Sequence, residues 1–294
     1  MNGGLHYMDK IRIVIVDDSP FSITILRDIL AEKGYEVVGE ASSLEEVIEV
    51  VKETRPTLVT MDMTLLGTDG LECTRAVHEI DKNIKVIVVS SMMDDEIVNE
   101  AKLNKVSAYI QKPVDPEELV TVINRVMATE ELFEQLETEA FPVFKEALLD
   151  NMNRMTKTII SYREEHTRNK EYESRGMTII IGIIGKFSGR MLIDLSKDTA
   201  NNIAVSLLRR EPKNRDEIIA AISEFANIIS GNACSLLNRK NKAFGLRVAP
   251  PSVLYGDSVF VSAPDFNTTT AIADTIFGEL LLNTGFTRGD EKWT

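Results

Sequence analysis

Five short apolar runs rich in β-branched residues punctuate the first 127 residues, and each is followed by a segment with helical spacing. They read "IRIVIV" (11–16), "YEVVGEA" (35–41), "TLVTM" (57–61), "KVIVVS" (85–90) and "AYIQ" (108–111). A strand that is apolar along its length must be covered on both faces, and strands alternating with helices connect by right-handed crossovers. Few folds meet both conditions. The pattern predicts a doubly wound parallel sheet of five strands, an α/β domain over residues 9–127. Local signals agree for the first helix: Ser19 as cap, Pro20 in the first turn and Gly34 just past the end.

The remainder has a different grammar. Residues 128–140, "ATEELFEQLETEA", are acidic with sparse apolar positions and read as a linker or helical extension. Pro142 fits the first turn of a new helix, and helical periodicity runs through 143–166. "MTIIIGIIG" and "RMLIDLS" predict a strand, a turn and a strand. Helices over "DTANNIAVSLLRR" and 216–239 follow, then short β runs to the end. Helices segregated from an antiparallel sheet make residues 141–290 an α+β domain.

Bulk properties narrow the function. A length of 294 residues and 44% apolar content suit two cores. A net charge of −13 argues against a nucleic-acid partner, which requires clustered Lys and Arg. Cys73 and Cys234 lack metal-like spacing and read as reduced thiols in a cytoplasmic protein. His6, His78 and His166 are scattered and read as surface or structural. No secretory signal pattern appears, and "MTIIIGIIG" is too short to span a bilayer, so no membrane partner is expected.

In a parallel α/β sheet, ligands gather at the carboxyl ends of the strands. The first strand here runs into Asp17 and Asp18, the third into Asp62, the fourth into Ser90 and Ser91, and the last into Lys112 and Pro113. Carboxylates with room for water suit a hard cation such as Mg²⁺. A cation and a lysine beside Asp62 would neutralise phosphoryl oxygens as the carboxylate attacks. "VDDS" (16–19), "TMD" (60–62) with "GTDG" (67–70), the "VVSS" strand end and "YIQKP" (109–113) resemble the response-regulator receiver family. The resemblance implies that a histidine kinase phosphorylates Asp62 and that Asp17, Asp18 and Asp62 hold Mg²⁺. It also implies that Ser90 is the switch hydroxyl, Tyr109 the switch aromatic and Lys112 the phosphate-binding lysine. Leu66 stands where the family has proline, Ser91 where it has alanine, and "NKVSA" replaces the usual Gly-Ala. The receiver resemblance also implies a flavodoxin-like fold, in which Thr64, two residues past Asp62, would border the path of an attacking water.

A second candidate site lies in "AISEFANIISGNA" (221–233). At about 100° per residue, Ile218, Ile222, Phe225, Ile229, Ala233 and Leu236 share one side of a helix. Ala220, Glu224, Asn227 and Gly231 share the other. Spacing alone is also met by a solvent face with an incidental Glu and Asn. "TIIIGIIGKFSGRMLIDLS", "TANNIAVSLL", the single Glu-x-x-Asn helix continuing as "NIISGNA", and "VAPPSVLYGD" resemble the CheC/CheX/FliY family of chemotaxis phosphatases, in its CheX form. That resemblance implies hydrolysis of aspartyl phosphate on a phosphorylated CheY-like receiver, separate or in this chain. Asn227 would orient the water and Glu224 would pair with the receiver's lysine. It also implies a homodimer. A different class remains open: a non-enzymatic response regulator whose second domain only binds or dimerises. Ala220, where the family often has Asp or Ser, favours that alternative.

Overall fold

The computed structural model describes residues 11–92, 95–167, 171–257 and 259–288. The expected domain limits at 9 and 290, and His6, lie outside them. The chain divides into two compact units, the first ending at Glu130 and the second beginning at Glu131.

The first unit runs β1 (Arg12–Val16), α1 (Pro20–Glu32), β2 (Glu36–Ala41), α2 (Leu44–Thr54) and β3 (Leu58–Met61). After it come β4 (Thr64–Leu65), β5 (Thr68–Asp69), α3 (Gly70–Ile80), β6 (Lys85–Ser90), α4 (Asp95–Leu103), β7 (Ala108–Gln111) and α5 (Pro116–Thr156). The main sheet has five parallel strands in the order β2-β1-β3-β6-β7. Alternate residues of each strand enter opposite cores. Val14, Val16, Val59, Met61, Val86 and Val88 pack with Val47 and Val51 of α2 and Val77 of α3. Ile13, Ile15, Leu58, Ile87 and Val89 pack with Leu26 and Leu30 of α1 and Leu119 and Ile123 of α5. Ser19 caps α1 as its sequence suggests, its hydroxyl accepting from the Ser22 amide.

Helix α5 is 41 residues long and contains the whole of 128–140, which is thus a helical extension. It departs from the expectation by continuing through Pro142, instead of a new helix beginning there. Proline inside a helix costs about 3 kcal/mol, because it lacks the N–H that bonds the carbonyl four residues back. Here Pro142 and Thr138 are both exposed, so water can take up the freed carbonyl. Phe141, Val143 and Phe144 beside it are buried and offset the loss. Nor is 128–140 merely connecting, since Phe133, Leu136 and Ala140 belong to the second unit's core. The helix expected over 143–166 stops at Thr156, followed by Lys157 at φ 61°.

Near the end of the first unit, Lys85 Nζ lies 2.6 Å from Glu130 Oε2, with side chains only 8% and 11% exposed. Removing one member of a buried pair strands the other charge. Glu130→Ala is expected to lower the stability of the first unit by about 3–5 kcal/mol, read from its urea midpoint. Lys85→Met with Glu130→Leu is expected to recover most of that loss.

The second unit continues with β8 (Ser161–Thr167), β9 (Tyr172–Glu173), β10 (Gly176–Ile184), β11 (Ser188–Ser196), α6 (Lys197–Leu208) and α7 (Arg215–Lys240). It closes with β12 (Arg247–Val248), β13 (Ser252–Tyr255), β14 (Phe260–Val261), β15 (Thr269–Thr275) and β16 (Gly278–Thr287). The large sheet is ordered β12-β10-β11-β16-β15-β8, with β13 also on β10. Strand β8 occupies part of the segment expected to be helical, because its backbone pairs antiparallel with β15 at the sheet edge. One sheet face carries Ile179, Ile181, Met191, Ile193, Leu280 and Leu282 into a core with Ile203 of α6 and Ile222, Phe225 and Ile229 of α7. Phe133 of α5 meets Phe187 edge-on in the same core, centroids 5.0 Å apart. Asp194 of β11 is wholly buried and accepts hydrogen bonds from Thr178 Oγ1 at 2.7 Å and Ser174 Oγ at 2.8 Å. Burial drives its pKa above the ordinary carboxylate value, and these donors offset part of the rise.

Candidate functional site

The switch in strand order between β1 and β3 opens a crevice at their carboxyl ends. The Asp62 amide donates to the Val16 carbonyl at 2.8 Å, which sets Asp62 beside Asp17 and Asp18. Ligand atoms of Asp17, Asp18 and Asp62 all lie within 4.8 Å of one another. Lys112 Nζ reaches Asp17 Oδ2 at 2.7 Å and Asp62 Oδ2 at 2.8 Å. Burial alone would depress the lysine, but its bonds and charge contacts to Asp17 and Asp62 together raise its pKa. Lys112 therefore stays charged between two carboxylates. The Ser19 amide donates to Asp17 Oδ1 at 2.9 Å and fixes that carboxylate's orientation.

Three carboxylates against one ammonium leave a net negative site. An octahedral Mg²⁺ at about 2.0–2.1 Å from oxygen places ligand pairs about 3.0 to 4.2 Å apart, close to the spread seen here. The three acids thus fit a hard cation completed by water.

Around this centre, Gly70 permits the start of α3 to approach closely: a Cβ there would lie 2.2 Å from the Asp62 carbonyl oxygen. Between Asp62 and α3, β4 and β5 form a small hairpin whose tip is Leu66 and Gly67, the latter at φ 81°. Leu66 is 79% exposed there. Ser90 is buried, and its Oγ accepts from the Met92 amide at 3.2 Å. The Lys112 amide donates to the Ser90 carbonyl at 2.8 Å, linking the lysine's strand end to the serine's. The Tyr109 hydroxyl donates to the Met92 carbonyl. Met92 is thus held through its amide by Ser90 and through its carbonyl by Tyr109. Sequence reasoning missed Met92, because both contacts are made by its backbone.

In the second unit, α7 is capped by Asn214, whose Oδ1 accepts from the Glu217 amide at 3.0 Å. Ile222, Phe225, Ile229 and Ala233 are buried, as their spacing predicts. The buried arc is wider than expected, taking in Ala226, Ser230, Cys234 and Leu237, while Ile218 and Leu236 are only partly covered. The reason is a second neighbour: Asn232 Nδ2 donates to Asn151 Oδ1 of α5 at 3.0 Å, so α7 packs against α5 as well as the sheet. Ala220 and Glu224 are exposed, and Asn227 and Gly231 are half-buried. The Ser230 hydroxyl donates to the Asn227 carbonyl at 3.0 Å. Ser223 Oγ, one turn before Asn227, is buried without a partner among the described residues. Cys234 is buried, and burial pushes its thiol up to about 12, the environment of a structural cysteine. Helix α7 is long and apolar enough by composition to cross a membrane, yet its apolar stripe is the second unit's core.

Two family models match the chain: a response regulator receiver domain over residues 13–124 and the chemotaxis phosphatase CheX over residues 177–273. The chemotaxis protein CheY of Thermotoga maritima is 39% identical over 115 residues, which cover 39% of this chain and 96% of that protein. CheY of Bacillus subtilis is 34% identical over 116 residues, covering 40% of this chain and 97% of that protein. A crystal structure of a chemotaxis protein CheX from Desulfovibrio desulfuricans aligns with TM-score 0.47 and 20% identity, over 51% of this chain and 99% of that one. The chain therefore belongs to the CheY-like response-regulator receiver family through its first unit, and carries a domain of the CheX chemotaxis phosphatase family in its second.

Proposed function

We propose that this protein is a chemotaxis signalling protein that both accepts and removes aspartyl phosphate. Asp62 attacks the phosphorus of a phosphohistidine on a histidine kinase, forming an acyl phosphate as the histidine nitrogen leaves. The observation that carries this reading is Lys112 Nζ at 2.7 and 2.8 Å from Asp17 and Asp62. An ammonium so placed meets the phosphoryl oxygens as Asp62 takes up the group. Asp17, Asp18 and Asp62 would hold Mg²⁺, which would supply further positive charge to those oxygens. Ser90 then turns its hydroxyl toward the phosphoryl group, and Tyr109 follows through Met92.

The second unit acts on a phosphorylated receiver. Glu224 pairs with the receiver's lysine and fixes the docking pose. Asn227 donates to and accepts from a water, aligning it for in-line attack on phosphorus. The water oxygen bonds to phosphorus, the acceptor carboxylate leaves, and inorganic phosphate is released. The exposure of Glu224 and the half-exposure of Asn227 on one face of α7 support these roles. The target is a separate CheY-like chain or this chain's own Asp62, and homodimerisation accompanies either. Phosphate decay on the full-length protein tests the reading at several dilutions, with and without added receiver. Concentration-independent decay assigns the activity to one chain, and acceleration by added second unit assigns it to separate chains. Binding of a phosphorylated receiver with no faster decay would instead favour the non-enzymatic reading suggested by Ala220.

Mg²⁺ has its own test. At about 100 times its dissociation constant it should add ~2.7 kcal/mol to the stability of the first unit, read as a rise in melting temperature. Asp18→Asn leaves both Lys112 contacts in place and should lose most of that rise. An equal rise in the variant would remove Asp18 from the site.

A further inference from the structure

Gly231 lies one turn past Asn227 on the same side of α7. Several glycines in this chain are required by their own surroundings. A Cβ at Gly70 or Gly285 would lie 2.2 Å from a backbone oxygen, and one at Gly189 would lie 2.5 Å from another. Gly231 is different: among the described residues, a Cβ there would meet nothing within 4 Å beyond its own helix backbone. Its backbone is helical, so no left-handed φ requires glycine either. In a helix interior glycine is the least favourable residue apart from proline. No close approach among the described residues accounts for glycine at this position. What glycine does provide is a helix backbone that an outside surface can approach.

We infer that Gly231 is a docking position, where the phosphorylated receiver that meets Glu224 and Asn227 comes into van der Waals contact with the α7 backbone. The inference rests on the phosphatase reading of that helix face and adds a contact to it. Asn227 needs to reach a recessed acyl phosphate, and the closer the two backbones stand, the less its short side chain must span. A methyl group at 231 holds the partner off on the Gly231 side of the carboxamide.

The test is a size series in the full-length protein with Asp62→Asn, so that only the added receiver carries phosphate. Two receivers, charged with acetyl phosphate, serve as probes: CheY of Thermotoga maritima and this chain with Asn227→Ala. Gly231→Ala should raise the melting temperature of the second unit by roughly 2–4 °C. It should also raise the half-saturating receiver concentration about tenfold. Gly231→Leu should lose saturable hydrolysis. A variant that is more stable and yet docks worse cannot owe its defect to misfolding. If Gly231→Leu saturates at the wild-type concentration, the docking position is wrong. If Asn227→Ala keeps full turnover while Gly231→Leu loses docking, the hydrolytic role of Asn227 fails and the docking position stands. No hydrolysis of either receiver by the parent protein overturns both.

Discussion

Asp62→Asn should leave the full-length protein unable to take up phosphate from acetyl phosphate or from a phosphorylated histidine kinase, a loss on the order of 10⁴-fold or more. A carboxamide is isosteric with the carboxylate but has no nucleophilic oxygen of comparable strength. The fold should survive. An asparagine oxygen can still accept from Lys112, which is also held by Asp17 at 2.7 Å. The substitution also removes one negative charge from a cluster of three carboxylates, two of which share that lysine. An unchanged or slightly higher melting temperature would therefore accompany the loss. Lys112→Ala should be milder in chemistry, about 10²- to 10³-fold slower, because the acceptor remains and one source of charge stabilisation is gone. Incorporation of phosphate that hydroxylamine or alkali releases, as expected of an acyl phosphate, reads both. Uptake by Asp62→Asn at the parental rate would move the acceptor elsewhere.

Asn227→Ala should reduce release of phosphate from a charged receiver by about 10²-fold in kcat. The half-saturating receiver concentration should change little, since the side chain contacts water rather than the docking surface. Glu224→Ala should split the other way. It should raise the half-saturating concentration about tenfold and spare kcat, as loss of a charge-assisted contact does. Both residues sit on solvent-accessible positions of α7, away from the stripe of Ile222, Phe225 and Ile229 that holds the helix in place. Neither change should disturb the core. Identical decay with the parent protein and Asn227→Ala would rule out the hydrolytic role.

Strand-helix alternation made the first unit readable nearly element by element, because buried parallel strands must be apolar at every position. The acidic rim was readable for a related reason. In this architecture the residue after a strand's last apolar position has one place to go, so Asp17, Asp62, Ser90 and Lys112 converge without further information. The β4–β5 hairpin was not readable, since two residues per strand show no period and only the φ of Gly67 betrays the turn. Nor was the contact of Met92 with Ser90 and Tyr109, which uses backbone atoms that every residue possesses. In the second unit, 143–166 read as one helix because apolar spacing persists past Thr156. The partner that converts 161–167 into a strand is β15, more than a hundred positions away. On α7 the inward stripe was read correctly at Ile222, Phe225, Ile229 and Ala233. Leu237, rather than Leu236, completes it, because α5 covers a second side of the helix.

The course of α5 has a practical side. A fragment begun at residue 141 would discard Phe133, Leu136 and Ala140, all buried, and leave Phe187 without its aromatic neighbour. A fragment ended at residue 127 would leave Lys85 buried with its ion-pair partner cut away. Each of these two cuts removes packing that one side or the other depends on. Proteases that need about ten extended residues should find no purchase on this helix, and dissection belongs at the bond between Glu130 and Glu131, where one core's last contact precedes the other's first.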